Sequence, residues 1–277
     1  MGVAKSFRER KLKMLSYYVA GEARNPLVVL VHGVCDSALA WVDLINHLSE
    51  NYFVIALDSL GHGTSRRLRD SELDDPGEAT AKELELTLEH LEKLYGQTPM
   101  IVAHSMGAAV SSYLCVYRPE LMKALFLEDP AWLSSSQAAG YRQRAREQVM
   151  LCENTWQTDP VETLRGNREL RPDWSAASHY GWALGKGLVD PRLLATGIVS
   201  FLKPWQEIAG ALRVPTKVVT SDTDEVLIGL AGVEAIAQVG NPLVQTEVIS
   251  GTGHGVRLGA PEQYHASLDD WLHRYAG

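Results

Sequence analysis

The chain has few cysteines, no long apolar run and no basic tract, and each shortage removes a class of function. Its three cysteines, Cys35, Cys115 and Cys152, are widely spaced and contain no C-x-x-C pair. An odd, scattered set is neither a disulfide framework nor a zinc pattern, and it points to reduced thiols in a cytoplasmic protein. No apolar run approaches the ~20 residues needed to cross a bilayer, so no membrane partner is expected. The first residues carry charges without an apolar stretch or cleavage site, which argues against a secretory leader. Met1, Gly2 and Ser6 fit the loose myristoylation pattern, which is short enough to arise by chance. Lys plus Arg number 26 against 34 Asp plus Glu, a net charge of −8. The one basic cluster, residues 8–13, reads as a solvated lead-in to the first strand. Without clustered cations nothing would neutralise a phosphate backbone, so nucleic acid is not an expected partner. Repeats and low-complexity segments are absent as well.

What is present is an ordinary globular composition, 45% hydrophobic and 22% charged over 277 residues. That length can bury a large core without disulfides or a structural metal. Strand and helix signals alternate through the first two-fifths. Strands are expected at residues 14–19, 27–31, 53–57, 100–103 and 124–127, and helices near 41–48, 79–94 and 106–116. From 131 to about 205 strand signals vanish, and this stretch carries five of the seven tryptophans: Trp132, Trp156, Trp174, Trp182 and Trp205. Alternation resumes with a strand at 216–220, a helix at 226–239, a strand at 244–249 and a helix at 261–275. This order predicts an α/β fold with a mainly parallel sheet. Residues 1–130 and 206–277 form its core, and 131–205 form a helical cap over the carboxyl ends of the strands.

Chemistry concentrates at the strand ends. Ala103-His104-Ser105-Met106-Gly107 falls between a buried strand and a helix, the setting of a nucleophile elbow. Small residues two before and two after the serine let strand and helix pass closely. The usual pattern is G-x-S-x-G, and Ala103 stands at its first glycine. Three further motifs follow the expected order. His32-Gly33-Val34 follows the first buried strand. Asp58-Ser59-Leu60-Gly61-His62-Gly63-Thr64-Ser65 follows the next one, and Gly251-Thr252-Gly253-His254-Gly255 lies in a late loop. Together they resemble the α/β-hydrolase superfamily over nearly the whole chain. The Glu128-Asp129-Pro130 group also resembles bacterial cofactor-free members.

The resemblance implies a serine hydrolase with Ser105 as nucleophile and His254 as base, because an unactivated hydroxyl needs an adjacent base. It implies a backbone oxyanion hole from the N–H groups of Val34 and Met106. His32, His62 and His104 are read as structural, and His265 and His273 as surface residues of the last helix. Two aspartates can orient His254. Asp224 lies in the loop after the 216–220 strand. Asp129 follows Ser105 by 24 positions at a strand end. The reading leans to Asp129 and leaves Asp224 open, with Glu128 a minor third candidate. Trp132 and Cys35 are expected to line the substrate pocket, with Met106 as a further wall. The cap arginines 142, 144, 146, 165, 168 and 171 are read as a solvated helix face.

The expected reaction is hydrolysis of a small-to-medium carboxylic ester or lactone, with no cofactor and no metal, by a monomer or homodimer. Thioesterase, amidase or C–C hydrolase activity could use the same triad, as could a perhydrolase or haloperoxidase. A hydrolase-like ligand receptor with little turnover is the alternative outside catalysis. Dehalogenase and epoxide hydrolase chemistry is disfavoured, since those relatives carry Asp where this chain has Ser105.

Overall fold

The computed structural model describes residues 14–201 and 203–276. The basic cluster at 8–13 and the Met1, Gly2, Ser6 pattern lie outside them. The chain begins with strands β1 (Tyr17–Ala20) and β2 (Leu27–Val31), helix α1 (Val42–Leu48), β3 (Phe53–Leu57) and the long α2 (Pro76–Tyr95). Then come β4 (Met100–His104), α3 (Ser105–Tyr117) and β5 (Ala124–Glu128). Four helices without an intervening strand follow: α4 (Ser135–Leu151), α5 (Pro160–Leu170), α6 (Ala176–Gly187) and α7 (Pro191–Thr196). The chain returns through α8 (Trp205–Ala211), β6 (Thr216–Thr220), α9 (Gly229–Val239), β7 (Val244–Val248), α10 (Val256–Gly259) and α11 (Pro261–Tyr275).

The seven strands form one sheet in the order β1-β3-β2-β4-β5-β6-β7. β1 runs antiparallel to β3, and the other pairs are parallel. Strands β2 to β5 are buried at every position, as expected where helices cover both faces of a parallel sheet. Alternate side chains divide between the faces. Val29 and Val31 pack with Leu84, Leu88 and Leu91 of α2 and with α3. Val28 and Leu30 pack with Trp41, Leu44 and Leu48 and with Tyr264, Leu268 and Trp271 of α11. The α/β fold with a helical insertion is therefore the one expected.

Several element ends shift by one to three residues from the expected ones, and at two of them a side chain takes a backbone N–H. β1 starts at Tyr17 rather than 14, because Leu15 N–H donates to Thr87 Oγ1 and Ser16 N–H to Ser65 Oγ. α9 starts at Gly229 rather than 226, because the N–H groups of Leu227 and Ile228 donate to the Asp129 carboxylate.

The register fixes what meets at the top of the sheet. His104 pairs with Glu128, so the next residues on each strand, Ser105 and Asp129, leave the sheet side by side. Above them α6 lies directly on the loop after β2. A Cβ at Gly181 would overlap the Leu39 carbonyl oxygen, so only glycine lets the two backbones meet. The hydroxyls of Ser175 and Ser178 both donate to Asp43 Oδ2 at 2.6 Å, pinning the start of α6 to α1.

Candidate active site

Three non-glycine residues among those described have positive φ: Cys35 (63°), Ser105 (52°) and Asp129 (36°). Such conformations cost energy and persist where surrounding structure enforces them, commonly at active sites. Here they sit at the carboxyl ends of three adjacent strands. The turn at Ser105 passes from β4 straight into α3. Its tightness rests on Gly107, where a Cβ would stand 2.5 Å from the carbonyl oxygens of Val31 and His32. The Ala131 N–H donates to the Ser105 carbonyl at 2.9 Å, tying this turn to the segment after β5.

Ser105 and His254 open onto one cavity of about 770 Å³ between the sheet and the cap. The His254 Nδ1 lies 2.5 Å from Asp129 Oδ2. Asp129 is fully buried and also accepts from Thr220 Oγ1 at 2.8 Å, Leu227 N–H at 2.8 Å and Ile228 N–H at 3.0 Å. Four donors converge on it, which suits a carboxylate that only accepts. Asp224 is exposed and, among the described residues, makes no hydrogen bond to His254. In this state no hydrogen bond joins Ser105 Oγ to the His254 ring among the described residues. Such contacts are often loose before substrate binds.

Glu128 points to the opposite side of β5 and does not reach His254. Its carboxylate accepts from the Arg257 N–H and from one guanidinium nitrogen, both at 2.8 Å. Burial raises the Glu128 pKa and Arg257 offsets part of that rise. Burial also opposes the charge on Arg257, but Glu128 outweighs it and holds the guanidinium protonated. Trp41 covers this guanidinium, 4.1 Å from the ring centroid. Through Arg257, three residues beyond His254, the pair moors α10 to β5, the strand that leads into Asp129. Replacing Glu128 with Gln should therefore lower stability by about 3–5 kcal/mol, because it leaves a buried guanidinium without its partner. The unfolding midpoint in urea measures this, and an unchanged midpoint would show that the pair bears no such load.

The other motif histidines brace the loop that carries Val34. His62 Nδ1 donates to the Leu60 carbonyl, and its Nε2 accepts the Cys35 N–H at 3.1 Å. His32 Nδ1 donates to the Gly33 carbonyl, and its Nε2 accepts the Ser59 N–H at 2.9 Å. Asp58 Oδ1 accepts the Ala38 N–H at 2.8 Å. His104 Nε2 donates to the His254 carbonyl at 3.1 Å and so steadies the late loop. Burial pushes all three rings below the ordinary histidine range, which keeps them neutral in these roles. Burial also pushes the Cys35 thiol up to about 11, so it is protonated and unreactive near neutral pH.

The expected pocket residues divide. Val34 lines the large cavity and, with Cys35, a smaller one of about 170 Å³ under α4 and α7. The Met106 side chain packs into the core and does not line the cavity, contrary to the expectation that it forms a wall. Trp132 is a correction: it does not line the cavity. The turn at Asp129 and Pro130 drives its ring inward. There it stacks on Trp205, with centroids 5.5 Å apart, and its Nε1 donates to Ser112 Oγ. Three other cap tryptophans, Trp156, Trp174 and Trp182, wall the cavity instead. The cap arginines are exposed. One of them, Arg171, lines the cavity rim and bridges to Glu225 at 3.1 Å. Sequence reasoning missed Lys186 and Arg257, both of which line the cavity. A lone cation in the glycine-rich, apolar Gly181-Trp182-Ala183-Leu184-Gly185-Lys186 run was the available signal for the first.

Among the described residues no group of three His, Cys, Asp or Glu side chains is placed to hold a metal ion. No helix among them is long and apolar enough to cross a membrane.

A family model described as the alpha/beta hydrolase fold matches residues 26–258. The chain is 26% identical to (E)-2-((N-methylformamido)methylene)succinate hydrolase of Acinetobacter baylyi, over 98% of each chain. Among solved structures it superposes on E-2-(acetamidomethylene)succinate hydrolase with a TM-score of 0.76 and 17% identity, covering 93% of this chain and 94% of that one. It also superposes on a malate-bound thermophilic esterase from Thermogutta terrifontis, with a TM-score of 0.71 and 20% identity over 95% and 94%. At these identities the two superpositions speak to the fold alone. With the family model spanning most of its length, the chain belongs to the alpha/beta hydrolase fold family.

Proposed function

We propose that the protein is a serine hydrolase that cleaves a small carboxylic ester or lactone through an acyl-enzyme. One observation carries the reading: Ser105 and His254 share a cavity, and the far nitrogen of His254 is tied to a buried Asp129. In this reading Ser105 Oγ attacks the substrate carbonyl carbon while His254 Nε2 takes its proton. The N–H groups of Val34 and Met106 hold the oxygen as it gains charge. Asp129 keeps the imidazole in the tautomer that accepts at Nε2 and stabilises the imidazolium. The tetrahedral adduct collapses, its C=O re-forms, the bond between the acyl carbon and the alkoxy oxygen breaks, and His254 gives its proton to the departing alkoxide. Water, deprotonated by His254, then attacks the acyl carbon; the bond to Ser105 Oγ breaks, His254 returns the proton to that oxygen, and the acid is released. Asp224, lying exposed, has no part in this scheme.

A second reading has the same residues cleave an amide. It is favoured by the full-length relative from Acinetobacter baylyi, whose name specifies a formamido-bearing succinate. Fold does not separate the two, because the triad serves either leaving group.

The test is turnover of short-chain p-nitrophenyl esters, one aromatic lactone and one N-formyl enamide by the folded protein. Hydrolysis of the esters or lactone supports the first reading, and hydrolysis of the enamide alone supports the second. A folded protein inert toward all three would contradict both.

A further inference from the structure

One cation that lines the catalytic cavity, Lys186, keeps a donor that a ligand could reach. Lys186 lies in the last turn of α6, and its side chain is only 12% exposed. Its ammonium sits 4.8 Å from the centroid of Trp182 and 5.7 Å from that of Trp156. It donates to the Cys35 carbonyl at 3.1 Å and reaches Asp36 Oδ1 at 3.5 Å. An ammonium has three donors. Among the described residues the third has no protein acceptor, on a side chain that lines the same cavity as Ser105 and His254. A nearly buried cation with an open donor is costly unless a ligand completes it.

The other cations of the cavity are committed. Arg257 is held by Glu128, and its one nitrogen unpartnered among the described residues, Nε, is fully buried and closed to a ligand; Arg171 is bridged to Glu225 at the rim.

We propose that Lys186 binds a carboxylate carried by the substrate, making the enzyme selective for half-esters or half-amides of short dicarboxylic acids. The proposal rests on the hydrolase reading and names its substrate class. Charge fixes the ligand as a monoanion. One ammonium, partly offset by Asp36, matches one carboxylate; Glu162 and Glu225 are paired with Arg165 and Arg171, which among the described residues leaves Asp173 as the unpaired acid that opposes a second negative charge. Position fixes the geometry. Lys186 touches the carbonyl of Cys35, the residue after Val34, and lines the same cavity as Val34 and Ser105, so a bound carboxylate and the reacting carbonyl share that cavity. Trp156 and Trp182, beside the ammonium, give the cavity an apolar wall for the methylenes.

The experiment compares monoethyl malonate, succinate and glutarate with their neutral counterparts ethyl propanoate, butyrate and pentanoate, for the wild type and Lys186→Gln. Glutamine can still donate to the Cys35 carbonyl, so the change removes the charge and spares the strut. The wild type should prefer at least one half-ester over its neutral counterpart. Lys186→Gln should lose about 10- to 100-fold in kcat/KM on that half-ester. On the neutral ester it should stay within about threefold. Lys186→Arg should recover part of the loss. An equal fall on charged and neutral esters would show Lys186 to be only a strut, and no fall on either would show it to be idle, and both overturn the proposal. If the wild type cleaves no ester, the hydrolase reading fails by itself. Calorimetric titration with monoethyl succinate, uncleaved in that case, then decides this one: binding to the wild type that is lost in Lys186→Gln supports it, and equal or absent binding overturns it.

Discussion

Replacing Ser105 with alanine is expected to lower kcat by roughly 10⁶-fold, because the remaining groups cannot form an acyl-enzyme. The fold should survive the change. Ser105 is small and 4% exposed, and its hydroxyl has no hydrogen-bond partner among the described residues. Alanine also tolerates the left-handed turn at φ 52° about as poorly as serine, so the backbone cost is nearly unchanged. The variant should therefore melt near the wild-type temperature and still bind substrate. A variant that retains more than about a hundredth of wild-type kcat would require another nucleophile, and Cys35 would be an unsuitable one with its thiol held protonated.

Asp129→Asn is expected to lower kcat by about 10⁴-fold, while Asp224→Asn should change it by less than about threefold. The asymmetry follows from the donors around each carboxylate. Asp129 Oδ2 faces both His254 Nδ1 and the Leu227 N–H. An amide NH₂ in that place cannot accept from the ring, so His254 turns to the tautomer whose Nε2 carries the proton and cannot take another. If the amide flips instead, its NH₂ meets the Ile228 N–H and Thr220 Oγ1, and the loop after β6 loses its anchor. The first arrangement disables the base, and the second loosens the loop that holds the orienting group in place. Steady-state kinetics on both variants, with thermal melts as the folding control, measures the difference. If kcat falls with Asp224→Asn and holds with Asp129→Asn, the orienting acid has been misassigned.

Much of the sheet could be read directly from the sequence, because β2 to β5 are continuous apolar runs that end in glycine, aspartate or serine turns. Periodicity placed α2 and α11 for the same reason. Element ends were harder, since they depend on distant side chains. Thr87 and Ser65 divert the first N–H groups of β1, and Asp129 diverts those at the start of α9. At the site, Ser105 and His254 stood out because each lies in a tight turn whose glycines have no other purpose. The choice between two aspartates was not legible, because both sit at plausible strand ends. Only the register of β4 with β5 and the donors around Asp129 separate them.

The cap was the least legible part. Composition indicated an aromatic cavity wall, and three tryptophans supply it. Proximity to Asp129 in sequence pointed to Trp132, yet the inward turn at Pro130 places its ring against α3. The buried Glu128–Arg257 pair was hidden because its partners are 129 positions apart. Lys186 matters through the close packing of α6 on the loop after β2, which no local pattern discloses.

The central claim is that Ser105 is a nucleophile activated by His254. A fluorophosphonate tests it most directly, since it reacts only with an activated serine and needs no knowledge of the substrate. Intact-mass measurement should show one adduct on the wild type, located by digestion to the peptide containing Ser105. Ser105→Ala should show none, and His254→Ala should label far more slowly. An adduct mapped to any other residue, or labelling that persists in Ser105→Ala, would contradict the account.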